Sequence, residues 1–387
     1  MSFFYRIISQ KILKKLLINF RGNLIIIFPN KSRYILGKGN SPTYFHIKNN
    51  FFLIRVLING VSAIGYGYYK GEWVTNNLSY VVKLGLKNIN TIKSLKIKQR
   101  FFYKIQKLFA LESSNTITKS KKQISFHYDL GNLFYSFWLD KSMTYSSAIF
   151  NKKNISLESA QDNKYKSLVK LAQINKQNKV LEIGCGWGGF TSYVSNKIGS
   201  KIIGITISKN QYEYATNLQK KNVSIKFLDY KKIKKKYDKI VSIEMFEAVG
   251  KEFWNVYFKK LKSLLNQNGI IVLQIITIKD NAFDYYKKNP DFIQKHIFPG
   301  GMLPSVSMLK KILENNKLKI IENNNYAEHY AKTLNNWRNN FNSSLNKIKD
   351  NGFDDKFVRL WNYYLAYCES GFKTKRIGLN QIKIMHN

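Results

Sequence analysis

Apolar residues recur along this chain in two different rhythms. From residue 178 onward, short apolar runs alternate with amphipathic stretches, and 179–184, 201–207, 223–228, 238–244 and 269–276 read as strands separated by helices. Such alternation predicts a doubly wound α/β sheet. Runs at 318–321 and 377–385 predict further edge strands near the C-terminus. Earlier in the chain, residues 24–37 predict two short strands around a turn at Pro29-Asn30, and 51–87 is mainly helical, interrupted by Gly60, Gly65, Gly67 and Gly71. Within the first twenty residues, Phe3, Phe4, Ile7, Ile8, Ile12, Leu13, Leu16 and Leu17 recur at helical spacing, with Arg6, Lys11, Lys14 and Lys15 among them. That helix suits either a lipid surface or the first core helix of a small domain. No apolar run reaches the roughly 20 residues of a membrane span, and no small-residue cleavage site follows the helix. The polar, basic stretch 113–122 reads as a linker between a small domain over 1–112 and a larger one over 123–387. A length of 387 residues allows each domain a core of its own.

Charge narrows the picture only slightly. The chain carries 64 Lys and Arg against 23 Asp and Glu, a formal charge of +41 that attracts any polyanion, nucleic acid or anionic membrane alike. Lys, Asn and Ile are enriched together, which AT-rich codons also produce. The basic residues are spread widely, and neither an RNP-type aromatic motif nor an Asn/Asp-Pro-Pro-Tyr tetrapeptide is present, so no nucleic-acid partner is expected. Cys185 and Cys368 lie far apart in patterned segments, which predicts reduced thiols and a cytoplasmic setting.

The chemistry concentrates where the strand Val180-Leu181-Glu182-Ile183 runs into Gly184-Cys185-Gly186-Trp187-Gly188-Gly189 and then a helix. Glycines at such a turn let the backbone approach a nucleotide-type ligand. Gly184, Gly186 and Gly189 also satisfy the dinucleotide fingerprint, so the turn alone does not separate a nicotinamide cofactor from S-adenosylmethionine. The next strand ends Gly204-Ile205-Thr206-Ile207-Ser208, with no acid to hold a dinucleotide ribose, whereas Glu182 suits a cofactor bearing an ammonium group.

The run 181–189, followed by Gly204-Ile205-Thr206-Ile207-Ser208-Lys209-Asn210-Gln211, resembles the cofactor site of cyclopropane-fatty-acyl-phospholipid synthases and the related mycolic acid methyltransferases. Met143-Thr144-Tyr145-Ser146-Ser147, Met245-Phe246-Glu247-Ala248-Val249-Gly250, His329-Tyr330-Ala331-Lys332 and Cys368-Glu369-Ser370-Gly371-Phe372 extend the resemblance, as does Gly67-Tyr68-Tyr69-Lys70-Gly71-Glu72-Trp73 in the small domain. It implies a Rossmann-like class I methyltransferase, α/β with a mostly parallel seven-stranded sheet, and a smaller N-terminal α+β domain. The implied cofactor is S-adenosylmethionine, lined by Gly184, Cys185, Gly186, Trp187, Gly188, Thr206, Ile207 and Gln211. Asp229 and Tyr230 would flank its adenine, and Tyr145 and Ser146 would approach from the segment before the sheet.

The implied reaction adds a methylene carbon to the double bond of an unsaturated phospholipid acyl chain, with bicarbonate as base. By the same resemblance, Ser147, Glu247, Gln274, Ile276 and Tyr330 would hold the bicarbonate. Ser147 and Gln274 depart from the family form with Cys and His, which leaves open a methyl- or methylene-branched product in place of a ring. Cys368 matches a cysteine suspected of catalysis in the family, while its aromatic surroundings read as those of a structural thiol. Phe126, Tyr128, Phe134, Tyr135, Phe137 and Trp138, or Trp254, Tyr257 and Phe258, would either wall an acyl channel or form ordinary core. The resemblance places the enzyme peripherally on the inner face of an anionic membrane, allows a homodimer, and implies no metal.

Overall fold

In the larger part of the chain the apolar runs form seven strands: β5 (Lys179–Ile183), β6 (Lys201–Thr206), β7 (Val223–Phe227), β8 (Tyr237–Ile243), β9 (Leu265–Ile278), β10 (Leu318–Asn325) and β11 (Ile377–His386). They pair in the order β10-β11-β9-β8-β5-β6-β7, parallel throughout except for β11, which runs antiparallel to both neighbours. The computed structural model describes residues 20–37, 43–49, 51–59, 61–94, 130–218 and 221–387. The amphipathic segment before residue 20, the linker at 113–122, and Phe126 and Tyr128 lie outside them.

Contacts divide the chain into two units, Met1–Gln123 with Leu345–Thr374, and Ile124–Ser344 with Lys375–Asn387. In the smaller unit, β1 (Leu24–Ile27) and β2 (Arg33–Leu36) form the hairpin expected at Pro29-Asn30, and β3 (Tyr44–Ile47) and β4 (Trp73–Val74) complete a sheet in the order β2-β1-β3-β4. Helices α1 (Phe51–Asn59), α2 (Ser62–Tyr69), α3 (Leu78–Lys87) and α4 (Ile89–Ser94) follow the helical pattern. The helix Asp355–Lys373 packs on α2 and α3 of this unit, whereas the sequence division gave it to the larger domain. Its stripe of Phe357, Trp361, Leu365 and Phe372 shows that one face is buried, but a stripe cannot say against what. Ser79 donates to Glu369 at 2.5 Å, and Arg359 Nε donates to the Tyr69 carbonyl at 3.0 Å.

In the larger unit the helices are α5 (Gly131–Ser136), α6 (Leu157–Ala172), α7 (Gly189–Ile198), α8 (Lys209–Asn217), α9 (Trp254–Leu264), α10 (Asp280–Lys288), α11 (Phe292–His296), α12 (Val306–Asn315) and α13 (Ala327–Ser343). Trp254, Tyr257 and Phe258 on α9 are core, packed with Leu181, Ile240 and Leu273 of the sheet. The strand order reverses between β5 and β8, each continuing outward on opposite sides. A crevice outside their C-terminal ends is where an open α/β sheet takes its ligand.

Candidate active site

The glycine turn leaves β5 with Gly184, Gly186 and Gly188 all at positive φ, at 79°, 53° and 87°, before α7 begins at Gly189. It is pinned to the next strand, because the Gly184 and Cys185 amides both donate to the Ile205 carbonyl at 3.0 and 2.9 Å. The Trp187 indole donates to Asn132 at 2.7 Å, tying the turn to α5. At the end of β6, Thr206 donates to the Gln211 amide oxygen at 2.9 Å, and Ile207 stands 74% exposed. Beyond β7, Asp229 caps the short helix Tyr230–Lys232 by accepting from the Lys231 amide at 2.8 Å, and the Tyr230 ring lies edge-on to Tyr257. Because β5, β6 and β7 are parallel, the turn, the Thr206–Gln211 segment and the Asp229–Tyr230 segment share one edge of the sheet.

Two features of this edge fit S-adenosylmethionine. A Cβ built on Gly186 meets no protein atom within 4 Å, so the space against the backbone is open where a ligand would lie. Glu182 buries a carboxylate oxygen, Oε2, that no protein group bonds. Burial pushes this acid up to about 8, against the pull of Lys164, and an incoming ammonium would supply the missing donors. Cys185 is buried beside it, and burial raises its thiol far above the reactive range, which fits a backbone role in the turn.

A second cluster lies past the end of β8. Glu244 Oε1 accepts from the Ser147 amide at 2.9 Å and from Gln274 Nε2 at 2.7 Å, and its Oε2 accepts from the Tyr330 hydroxyl at 2.5 Å. The Gln274 amide is oriented in turn by Gln381, which donates to its oxygen at 2.9 Å. Glu247 Oε1 accepts from the Ile276 amide at 2.6 Å, while its Oε2 is enclosed without a partner. Burial pushes Glu247 up to about 8, and the neighbouring Glu244 pushes it the same way. Glu244 keeps some accessible surface, yet enough protein surrounds it for burial to raise its carboxyl too, with the bonds from Tyr330, Ser147 and Gln274 pulling it back. The two carboxyls thus differ in their bonding: three donors on Glu244 oppose the upward push of burial, whereas Glu247 has the Ile276 amide on one oxygen and none on the other.

Behind both clusters stands Lys164, fully buried in the middle of α6, whose ammonium donates to the Ser146 hydroxyl at 2.7 Å. Burial lowers it to about 8, while Glu244, Asp140 and Glu182 favour its charged form. Gln161, one turn earlier, donates to the Ser146 carbonyl at 3.0 Å, so α6 holds the Tyr145–Ser147 segment from behind. Aromatic rings bridge the two clusters. Centroids run from Trp187 to Tyr135 (4.9 Å), Tyr135 to Tyr145 (5.3 Å), Tyr145 to Trp337 (5.4 Å) and Trp337 to Tyr330 (6.1 Å).

The structure therefore gathers Tyr145, Ser146, Ser147, Glu182, Glu247, Gln274, Ile276 and Tyr330 in one unit, whereas Cys368 belongs to the smaller unit. Sequence reasoning missed Glu244 and Lys164. The first directly follows an apolar strand, and the second lies among the apolar positions Leu157, Ala160, Tyr165 and Leu168 of an amphipathic helix; those two placements were the signals available in the sequence. The expected bicarbonate does not fit. The Ser147 amide, Gln274 Nε2 and Tyr330 hydroxyl already serve Glu244, and the Ile276 amide serves Glu247.

This fold and site define a class I S-adenosylmethionine-dependent methyltransferase. Residues 115–382 match the family model described as mycolic acid cyclopropane synthetase, and the chain belongs to that family. It is 32% identical over 354 residues to the cyclopropane-fatty-acyl-phospholipid synthase of Escherichia coli, covering 89% of this chain and 88% of that protein. It is 30% identical over 355 residues to the tuberculostearic acid methyltransferase UfaA1 of Mycobacterium tuberculosis, covering 88% and 82%. Among solved structures, the mycolic acid cyclopropane synthase CmaA1 complexed with SAH and CTAB superposes with a TM-score of 0.63 at 26% identity, over 68% of this chain and 97% of that one.

Proposed function

We propose that this methyltransferase adds a one-carbon unit to the double bond of an unsaturated phospholipid acyl chain and closes a cyclopropane ring. The observation that carries this reading is the line of rings from Trp187 to Tyr330, which joins the cofactor turn to the Glu244 carboxyl. When bound, S-adenosylmethionine supplies an electrophilic methyl on sulfur. An alkene attacking that methyl develops positive charge on carbon, and the faces of the partly exposed Tyr135 and Tyr145 are suited to steady it. The same rings exclude water that would otherwise trap the cation, and the Glu182 carboxylate with the glycine turn orients the donor. The names of the relatives support a lipid substrate. Ser147 and Gln274, where the family form has Cys and His, favour a second reading in which the cation loses another proton and leaves a branched chain.

We further propose that Ser147, Gln274 and Ile276 act by fixing Glu244 and Glu247, that Cys368 is structural, and that the protein works peripherally on the inner face of an anionic membrane. The test is to incubate purified protein with S-adenosylmethionine and vesicles of an unsaturated phospholipid, and to weigh the acyl chains. Chains heavier by one CH2 and resistant to mild hydrogenation are expected. The same mass gain in a hydrogenatable chain would select the second reading, and unchanged chains would contradict both.

A further inference from the structure

We infer that Glu244 fills the anion cradle with the protein's own carboxylate and is the proton acceptor of the reaction, so that this enzyme works without bicarbonate. The proton-acceptor half rests on the acyl-chain reading above; the occupied cradle does not.

Three donors converge on Glu244 from three separate parts of the chain: a backbone amide at Ser147, a side-chain amide on β9, and a phenol on α13. Ser147, Gln274 and Tyr330 are all buried, at 0%, 1% and 6% exposure, so none has water as an alternative partner. A second anion there would find its donors already taken by the Glu244 carboxyl. The backbone adds an independent sign. Glu244 has φ 51°, the left-handed region where a side chain costs conformational energy and glycine does not, and such strain concentrates at functional positions. An ionised carboxylate has about four lone-pair positions. Two bonds use Oε1 and one uses Oε2, which leaves a position on Oε2 beside the last ring of the aromatic line.

The step balances on that atom. The alkene π pair forms the new bond to the methyl carbon as the sulfur–carbon bond breaks, with its electrons remaining on sulfur. One C–H bond of the transferred carbon then breaks, its electron pair closes the ring, and the proton goes to Glu244 Oε2, later to be returned to water. Glu247, held by the Ile276 amide on one oxygen and by no donor on the other, with burial pushing it up to about 8, is less suited to that part.

Two variants test this in CO2-free buffer, each with [13C]bicarbonate binding followed by NMR and with turnover measured before and after bicarbonate is added. The wild type is expected to bind no bicarbonate and to turn over equally with and without it. Glu244→Gly, which suits the positive φ, opens the cradle: it is expected to bind bicarbonate, to lose about 100-fold or more in turnover without it, and to recover when it is supplied. Glu244→Gln keeps the cradle filled but accepts no proton, so it stays slow with or without bicarbonate. Bicarbonate binding to the wild type, slowing of the wild type when bicarbonate is stripped, or full turnover by either variant in its absence would overturn the inference. The binding measurements need no lipid, so failure of the acyl-chain reading would show separately, as an unchanged acyl chain in the wild type.

Discussion

Glu244 and Glu247 sit three residues apart and meet opposite surroundings. One collects three hydrogen-bond donors; the other keeps an enclosed oxygen with none. The difference has a consequence for stability. Glu247 and Glu182 rise from 4.5 to about 8 in the folded protein, above their unfolded values, so the folded state binds more protons. Their contribution is therefore complete below about pH 4.5, declines as pH rises, and is lost above about 8. Lys164, depressed from 10.5 to about 8, stabilises only above that range and is already charged below it. Thermal melts of the cofactor-free protein should show a Tm falling from pH 5 to pH 8, and Glu247→Gln, with nothing to titrate at that position, should fall less. An equally steep decline in the variant would contradict the upward push on Glu247. The glycine turn and Glu182 were legible in the sequence because strand, turn and helix follow one another locally. The place of Glu244 at the end of an apolar strand was legible too, but its role was not, because its partners Ser147, Gln274 and Tyr330 come from elements far apart in the chain and only the fold brings them together.

The strands of the sheet announce themselves as apolar runs because a parallel strand covered on both faces has no polar side to interrupt it. That is why β5, β6 and β8 appear where the pattern put them. Strand β11 was expected at an edge, yet it lies between β9 and β10, and its polar Asn380, Gln381 and Lys383 are buried there, with Gln381 bonded to Gln274. Strand β4, two residues long, is too short to show a period at all, and β3, Tyr44–Ile47, lacks the unbroken apolar run that marks the equally short β1 because His46 interrupts it. Close packing of elements is most exposed to test at Gly204 on β6. A Cβ there would stand 2.8 Å from Thr191 Cγ2 on α7 and 2.9 Å from Cys185 Cβ in the cofactor turn. Gly204→Ala should cost about 1–3 kcal/mol in urea unfolding and weaken S-adenosylmethionine in calorimetry, since the methyl presses on the turn. Unchanged stability would mean the helix and turn are not held against β6.

At the scale of the whole molecule, a formal charge of +41 on a chain with no membrane-crossing helix among its described residues suits a peripheral enzyme on anionic lipid. Sedimentation with anionic vesicles should be strong at low salt and fall steeply as ionic strength rises; equal binding to zwitterionic vesicles at high salt would point to apolar insertion instead. The division into two units was only partly legible, because the Asp355–Lys373 helix joins the N-terminal unit from the far end of the chain. The central claim is the one-carbon addition itself. Its most direct measurement is mass spectrometry of fatty acids from a bacterial host lacking its own cyclopropane synthase, expressing either this chain or Gly186→Ala, whose Cβ would occupy the open space of the cofactor turn. The account predicts acids heavier by one CH2 with the double bond consumed and resistant to hydrogenation, from the wild type and not from the variant. A fatty-acid profile identical to that of the empty host would contradict it.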